Sequence, residues 1–268
     1  TADWHLGQTF YEYDRREEHF HFLEWLKQQI KQHEIDVLLI AGDVFDSPNP
    51  SAESQRVYYR FLREVTSENP SLQIVIIAGN HDSAARLEAP NPLLEDMNII
   101  VRGTVRRNAE GDIDLQHFIV PLYTEGKVTA YCLAVPYLRQ GDYPSAENYS
   151  KGVQQLYEQL FNKVKEKGIP VVAMGHLQAT GSEISEDDRS ERTVIGGLEC
   201  VSPDAFNEAI TYTALGHLHR SQRVSHRENV RYSGTPMPMS FAEKNNASGV
   251  VMITIDTAVS YTHLRAHE

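Results

Sequence analysis

The fold is decided by a stretch that reads Glu34-Ile35-Asp36-Val37-Leu38-Leu39-Ile40-Ala41-Gly42-Asp43-Val44-Phe45-Asp46. Its apolar run, Val37 to Ala41, is typical of a strand buried on both faces. The run ends at Gly42 and is followed by the carboxylate of Asp43. In open α/β sheets, ligands bind beyond the carboxyl ends of the strands. We therefore expect Asp43 to lie at a functional site.

The segments around this strand predict a parallel crossover. Upstream, Phe22, Leu23, Leu26 and Ile30 recur at helical spacing, and Asp14 is the expected N-cap of a helix that ends near Lys31. Downstream, a helix that begins at Ser51 or Ser54 leads to a second buried run at 73–78. Strand, helix and strand in this order predict a right-handed connection between parallel strands. We interpret His19, His21 and His33, on or near the first helix, as solvated or rim histidines rather than as metal ligands.

The pattern changes between residues 98 and 138. Strand-like runs at 99–105, 117–123 and 128–137 are separated by turn sequences at 109–112 and 124–127, which predicts antiparallel pairing. We interpret the three arginines of this region as a solvated strand face, and the alternative is a contact with nucleic acid: Arg102, Arg106 and Arg107.

The second half of the chain returns to an alternating pattern. A helix is expected over 149–167, and strands are expected at 169–174, 212–215, 230–233 and 249–255. The acidic stretch 181–192 predicts a mobile, solvent-facing loop. Residues 257–268 fit no pattern, and we expect them to be a non-native tail after a single domain that spans residues 1–256.

Composition limits the class of protein. The chain has 268 residues and a formal net charge of −12, which argues against a general polyanion-binding surface. No apolar run reaches the length of a membrane span, so we expect no membrane partner. Cys132 and Cys200 form no metal-binding or disulfide pattern, and a cytoplasmic protein is expected.

Polar residues follow a glycine or an apolar run at five places along the chain. Asp3 and His5 are two residues apart, so in an extended segment both side chains point the same way. All candidate ligands offer nitrogen or oxygen, which suits Mn, Fe, Zn or Mg rather than a soft metal. They are Asp3, His5, Asp43, Asn80, His176, His217 and His219. Seven ligands exceed the needs of one ion but suit two ions about 3.5–4 Å apart, with Asp43 between them.

As an ordered set, these residues resemble the motifs of a known enzyme family. The motifs are Asp3-x-His5, Gly42-Asp43-x-x-Asp46, Gly79-Asn80-His81-Asp82, Gly175-His176 and Gly216-His217-x-His219. They are similar to the five motifs of the calcineurin-like metallophosphoesterases. Longer matches resemble the nuclease subunits of bacterial SbcCD complexes, which are related to the double-strand-break repair nucleases. These matches lie at 1–7, 79–83, 190–192 with 196–197, 214–220 and 232–236.

The resemblance implies a fold and a mechanism. The fold is of the mixed α/β class, with two mixed β-sheets stacked face to face and helices outside. One metal is expected on Asp3, His5, Asp43 and His219, and the other on Asp43, Asn80, His176 and His217. Mn²⁺ is the family's usual activator, and the activated hydroxide attacks a phosphodiester. His81 would stabilise charge on the phosphate and protonate the leaving oxygen, and Asp82 would orient His81.

The resemblance also implies partners and leaves alternatives. The expected partners are DNA ends and hairpins, an SbcC-type coiled-coil ATPase and a second copy of the nuclease chain. We expect the family's first strand, its DNA-contacting cap and its ATPase-binding segment to be missing from the sequence as given. A phosphatase or cyclic-nucleotide phosphodiesterase is disfavoured, because Ser47-Pro48 follows Asp46 and Asp82 follows His81. A non-catalytic scaffold would be favoured by loss of a ligand, and none is lost.

Overall fold

The helices and strands follow the chain in an alternating order, and the computed structural model describes residues 1–182 and 200–255. The helices are α1 (Arg16–Gln32), α2 (Ala52–Glu68), α3 (Ala84–Glu88), α4 (Asn91–Leu94), α5 (Leu115–Phe118) and α6 (Tyr149–Val164). The strands are β1 (Thr9–Phe10), β2 (Tyr13–Asp14), β3 (Val37–Ala41), β4 (Gln73–Ile77), β5 (Ile99–Arg102), β6 (Ile119–Thr124), β7 (Lys127–Ala134), β8 (Val171–His176), β9 (Tyr212–Gly216), β10 (Gln222–Val224) and β11 (Arg227–Tyr232).

Three of the features predicted above lie outside the described residues. They are most of the acidic stretch 181–192, the matches at 190–192 and 196–197, and the tail 257–268. No helix in the described part of the chain is long and apolar enough to cross a membrane.

The first sheet contains β3, β4 and β5, all parallel. β3 and β4 pair in parallel with α2 between them, and Ser51 caps α2 by accepting a hydrogen bond from the Ser54 amide, as the sequence predicts. The expectation of antiparallel pairing is wrong for β5. Between β4 and β5 the chain passes through α3 and α4, and such a connection returns it to the sheet in the same direction.

The second sheet is six-stranded and mixed, in the order β10-β11-β9-β8-β7-β6. β6 and β7 form the predicted antiparallel hairpin, in which Glu125 and Gly126 at the turn have φ values of 52° and 75°. A positive φ at both central residues is the mark of a type I′ turn, whose twist matches that of the strands. β7, β8, β9 and β11 pair in parallel, and α6 connects β7 to β8.

The two sheets pack face to face. Between them lies a core of small and medium side chains that includes Ala41, Val75, Cys132 and Met174. Small residues such as these allow close approach of the sheets. Helices α1 and α2 cover the outer face of the first sheet, and α6 covers the outer face of the second. The predicted arrangement of two stacked sheets flanked by helices is confirmed, with the first sheet parallel rather than mixed.

Two expectations for α1 need correction. The helix begins at Arg16 after Arg15, whereas Asp14 belongs to β2 and accepts a hydrogen bond from the Arg16 amide. His19 is buried, not solvated, and its Nε2 lies 3.1 Å from the carbonyl oxygen of Trp4. The reason is that this face of α1 packs on the first residues of the chain, a contact that helical periodicity does not reveal.

The strand predicted at 249–255 is also wrong. These residues have no regular secondary structure, although Val250 packs against the core that α1 and α2 share with the first sheet. Alternating apolar residues supply a face for burial, but a strand also needs a neighbouring edge with free backbone groups.

Candidate metal centre

The carboxyl ends of β3, β4, β8 and β9 meet at one place between the two sheets, and all seven predicted ligands lie there. Asp43 Oδ2 is 3.2 Å from His176 Nε2 and 3.9 Å from His5 Nε2. Asn80 Oδ1 is 2.9 Å from both His176 Nε2 and His217 Nδ1. The ring centres of His5 and His219 are 5.1 Å apart. Residues that are distant in sequence therefore form one cluster.

The first residues of the chain are held against the end of β3 by backbone hydrogen bonds. The amide of Asp3 donates to Gly42 O, and the amide of His5 donates to Asp43 O, each at 3.0 Å. Asp3 Oδ1 in turn accepts a hydrogen bond of 3.0 Å from the amide of His217. These backbone contacts place Asp3 and His5 beside Asp43.

The backbone at these positions is not the extended segment that the sequence suggested. Asp3 and His5 have φ values of 54° and 46°, and Asp43 and His217 have values of 49° and 97°. Such left-handed conformations cost an L-residue of order 1–3 kcal/mol and persist where surrounding structure enforces them. Four of the seven predicted ligands share this strain, which is characteristic of a functional site.

The glycines next to the ligands are needed for close packing. A Cβ on Gly79 would overlap Asp43, and a Cβ on Gly42 would overlap the ring of His176. Gly42 also has a φ of 92°, which side chains rarely adopt. The Gly-polar pattern in the sequence therefore reflects the close approach of the turns.

The site is buried and strongly charged. Burial by itself disfavours the Asp43 carboxylate, but the charge and hydrogen bond of His176 dominate and hold the pKa of Asp43 well below its usual range. In the same pair, burial opposes protonation of His176, yet Asp43 and Asp3 raise its pKa to about 9. The pKa of Asp3 is raised to about 6, mainly by burial and against the effect of His176. Protons bound by these side chains therefore offset part of the negative charge of the carboxylates in the cluster.

The cluster fits divalent cations. Within residues 1–182 and 200–255, two buried ligand atoms have no hydrogen-bond partner, Asp3 Oδ2 and His5 Nε2. Among these residues, three groups offer ligand atoms that lie within 4.8 Å of one another: Asp3 with His5 and His219, Asp3 with Asp43 and His176, and His5 with Asp46 and His81. Buried polar atoms are rarely left unbonded, so these two atoms suit the coordination of a cation. The oxygen and nitrogen donors suit a hard or borderline metal.

His81 and Asp82 lie beside this cluster with separate partners. The amide of His81 donates to Asp43 Oδ1 at 2.9 Å, and His81 Nδ1 lies 3.0 Å from the carbonyl oxygen of Asp46. The Asp82 carboxylate accepts hydrogen bonds from the amides of Val44, Phe45 and Gly79. The expected orientation of the His81 ring by Asp82 stays a prediction. Asp82 holds the turns on which Asp43 and His81 sit, and the Asp46 carbonyl holds the ring.

Two carboxylates were not predicted as parts of the site. Asp46 Oδ1 lies 3.3 Å from His5 Nδ1, and Glu243 Oε1 lies 2.7 Å from His219 Nδ1. Asp46 belongs to a recognised motif, but its spacing indicates no partner. Glu243 follows Ser240 at the spacing of a capping box, a pattern that predicts a helix start rather than a site. Only the folded chain brings Glu243 to His219.

The basic cluster contacts the protein itself. Arg106 pairs with the buried Glu88 at 2.5 Å, and Arg102 donates to the carbonyl oxygen of His117. Arg107 donates to the carbonyl oxygens of Gly111 and Gly141. These contacts favour a structural role for the arginines over the alternative of a nucleic-acid contact.

Comparison with known proteins identifies relatives. The family model described as calcineurin-like phosphoesterase matches residues 1–221. The chain is 39% identical to the SbcD component of the SbcCD nuclease of Rhodobacter capsulatus, over 98% of this chain and 67% of that protein. It is 32% identical to the SbcD protein of Escherichia coli K12, over 95% of this chain and 64% of that protein. It is 30% identical to the SbcD protein of Bacillus subtilis, over 94% of this chain and 64% of that protein. The chain thus spans about two thirds of the length of these relatives.

The charge state of His176 predicts how metal binding depends on pH. A histidine must be neutral to bind a metal ion, so an ion at His176 would compete with the proton that Asp43 stabilises there. Since the pKa of His176 is raised to about 9, the affinity for Mn²⁺ should rise with pH from 6 to 9, by up to roughly tenfold per unit. Calorimetry in buffers of different ionisation enthalpy measures both the affinity and the protons released.

A matched pair of variants tests the origin of this slope. His176→Gln should remove most of the pH dependence together with part of the metal binding, whereas His226→Gln, at an exposed position, should change neither. Equal Mn²⁺ affinity at pH 6 and pH 8 in the unaltered protein would contradict the assignment.

Proposed function

Because this chain belongs to the calcineurin-like phosphoesterase family, we propose that it is a metal-dependent DNA nuclease that hydrolyses phosphodiester bonds at DNA ends and hairpins. Two relatives at 39% and 32% identity are named as the SbcD component of the SbcCD nuclease. The observation that most supports this activity is the cluster itself, in which six other candidate oxygen and nitrogen ligands surround Asp43 beside His81. Such a cluster suits the hydrolysis of a phosphate ester.

Two divalent ions, which we take to be Mn²⁺, fit the ligand set in two groups. Asp3, His5, Asp43 and His219 form the first metal position. Asp43, Asn80, His176 and His217 form the second metal position. When bound, a pair of divalent ions supplies an activated water and neutralises the charge of a phosphate. The protein contributes a pocket in which Asp43 is 1% exposed, so little bulk water competes for the ligands.

His81 is proposed as the residue that acts on the leaving group. Its Nδ1 faces the Asp46 carbonyl oxygen, which can only accept a hydrogen bond, so Nδ1 carries a proton. A second proton on Nε2 is then the one that can reach a phosphate oxygen. The backbone contact with Asp43 fixes the position of His81 relative to the ligands. A histidine in this arrangement can stabilise developing charge and protonate the leaving oxygen.

Asp82 supports the site from behind. It is buried, and burial together with the neighbouring charge of Asp43 raises the pKa of Asp82 to about 6. Its three hydrogen bonds to backbone amides join the turn after β3 to the turn after β4. We propose that Asp82 keeps Asp43 and His81 at a fixed separation, rather than taking part in proton transfer.

The proposal also includes protein partners, which we infer from the names of the relatives. We propose a complex with an SbcC-type coiled-coil ATPase and pairing of two nuclease chains as a homodimer. We also take residues 1–256 to be one phosphoesterase domain that works in the cytoplasm, where its DNA substrate lies. The formal net charge of −12 favours recognition of DNA through the metal ions over a broad basic surface.

A panel of substrates tests the reaction. With Mn²⁺, the protein should cleave linear and hairpin DNA and should act slowly on a small phosphomonoester and a cyclic nucleotide. Excess chelator should abolish cleavage. Preferred hydrolysis of the phosphomonoester or the cyclic nucleotide would identify a phosphatase or a cyclic-nucleotide phosphodiesterase instead. Cleavage of DNA that persists in chelator would contradict a metal mechanism.

Replacement of His81 by Ala tests its role. Loss of a positioned acid should lower turnover on DNA by roughly 10²–10⁴-fold, while the amount of bound metal stays the same, because His81 is not among the proposed ligands. His226→Ala, at an exposed position, serves as the control. Normal turnover of the His81 variant would remove His81 from the mechanism.

Replacement of Asp43 by Ala tests the bridging position. Because Asp43 is assigned to both metal positions, its loss should lower the occupancy of both ions, as measured by elemental analysis after dialysis. Asp14→Ala, whose side chain is 59% exposed, should retain both. Two ions still bound to the Asp43 variant would show that it does not bridge.

A further inference from the structure

Glu243 is a buried carboxylate that directly contacts a predicted metal ligand. It is 0% exposed, and its Oε1 lies 2.7 Å from His219 Nδ1. Its Oε2 accepts a hydrogen bond of 2.7 Å from the amide of Met239. A buried carboxylate is costly unless both oxygens are bonded. Here one oxygen is bonded to the backbone and the other to the imidazole.

The loop that presents Glu243 is tied to the segment that presents His5. Gln8 Nε2 donates to Met239 O at 2.9 Å, and the amide of Gln8 donates to His5 O at 2.9 Å. The guanidinium of Arg15, which is itself buried, donates to Gln8 Oε1 and to the carbonyl oxygen of Pro238. The loop therefore has a fixed position relative to the ligands of the first metal position.

His5 has a carboxylate in the equivalent place. Asp46 Oδ1 lies 3.3 Å from His5 Nδ1, and the Asp46 amide donates to Leu6 O. The Asp46 side chain is 39% exposed, so its effect is screened more than that of Glu243. Both histidines of the first metal position thus face a carboxylate through Nδ1, and this would leave Nε2 as the atom that binds an ion.

At the second metal position, His176 Nδ1 has a backbone carbonyl at hydrogen-bond distance, and the Asp3 carboxylate oxygen Oδ1 lies 4.0 Å from the same atom. His176 Nδ1 lies 2.8 Å from the carbonyl oxygen of Ala41. His217 Nδ1 lies 2.9 Å from the amide oxygen of Asn80, which is itself assigned as a ligand of this position. A carboxylate fixes the tautomer of a ligand histidine and makes the ring a stronger donor than a neutral acceptor does. His219 and His176 therefore differ in the group at hydrogen-bond distance from Nδ1, which is a carboxylate for His219 and a backbone carbonyl for His176.

We propose that Glu243, assisted by Asp46, is a positioning residue that sets the affinity of the first metal position by holding the Nδ1–H tautomer of His219. The inference rests on the proposed function for the assignment of the ligands to two ions. The loop that follows β11 would then take part in metal binding, although it lies outside the five sequence motifs.

Metal titration of three variants tests the proposal. Glu243→Ala should lower the affinity for one Mn²⁺ ion by roughly 10–100-fold and leave the affinity for the other unchanged. Glu243→Gln keeps a hydrogen-bond acceptor but loses the charge, so its loss of Mn²⁺ affinity should be smaller than that of Glu243→Ala. Asp46→Asn should also cause a smaller loss of affinity. Calorimetry and elemental analysis after dialysis give the affinity and number of bound ions.

The matched control is Glu88→Gln. Glu88 is buried like Glu243 and accepts hydrogen bonds from the amides of Gly103 and Thr104, but it lies outside the ligand cluster. This variant should lower thermal stability without changing either Mn²⁺ affinity. If Glu243→Ala lowers the affinity for both Mn²⁺ ions equally, or for neither, the proposed positioning role is wrong.

A second readout works on the metal-free protein. Long-range ¹H–¹⁵N NMR distinguishes the two ring nitrogens of a histidine. The His219 ring should carry its proton on Nδ1 in the unaltered protein and shift toward Nε2–H in Glu243→Ala. An unchanged tautomer would overturn the proposal. Failure of the proposed nuclease function would appear separately, as absence of DNA cleavage by an unaltered protein that still shows this tautomer.

Discussion

The buried charge of Asp43 is the constraint on which the rest of the structure depends. A carboxylate that is 1% exposed between two sheets must be compensated by hydrogen bonds and by positive charge. The amide of His81 and the ring of His176 supply this compensation. The same arrangement leaves the cluster ready to exchange protons for cations. The strained backbone at Asp3, His5 and Asp43 is stabilised by the sheets that meet there.

Much of this site is visible in the sequence because its signals are local. A short apolar run followed by glycine and a polar residue specifies both a buried strand and the side chain at its end, as at β3 with Asp43 and at β8 with His176. The ends of parallel strands meet at one edge of a sheet, so the convergence of these residues follows from the pattern. The order of layers follows in the same way from alternating strands and helices.

The rest of the structure depends on contacts between distant segments, which periodicity does not report. The direction of β5 is set by the chain path through α3 and α4, and an apolar run looks the same in either direction. The burial of His19 depends on its contact with Trp4. Glu243 acquires its role only when the loop after β11 folds onto His219. Partners of this kind are specified by tertiary structure alone.

The absence of room at Gly42 and Gly79 has a consequence for how this scaffold can diversify. A methyl group at either position would displace Asp43 or His176, so no gradual series of substitutions passes through these turns. Variation in what the pocket accepts must come from surface segments farther from the ligand cluster, such as the hairpin that β1 and β2 form. Natural or laboratory evolution of new substrate specificities would thus be confined to the surface around the pocket, while the turns that carry the candidate ligands stay unchanged.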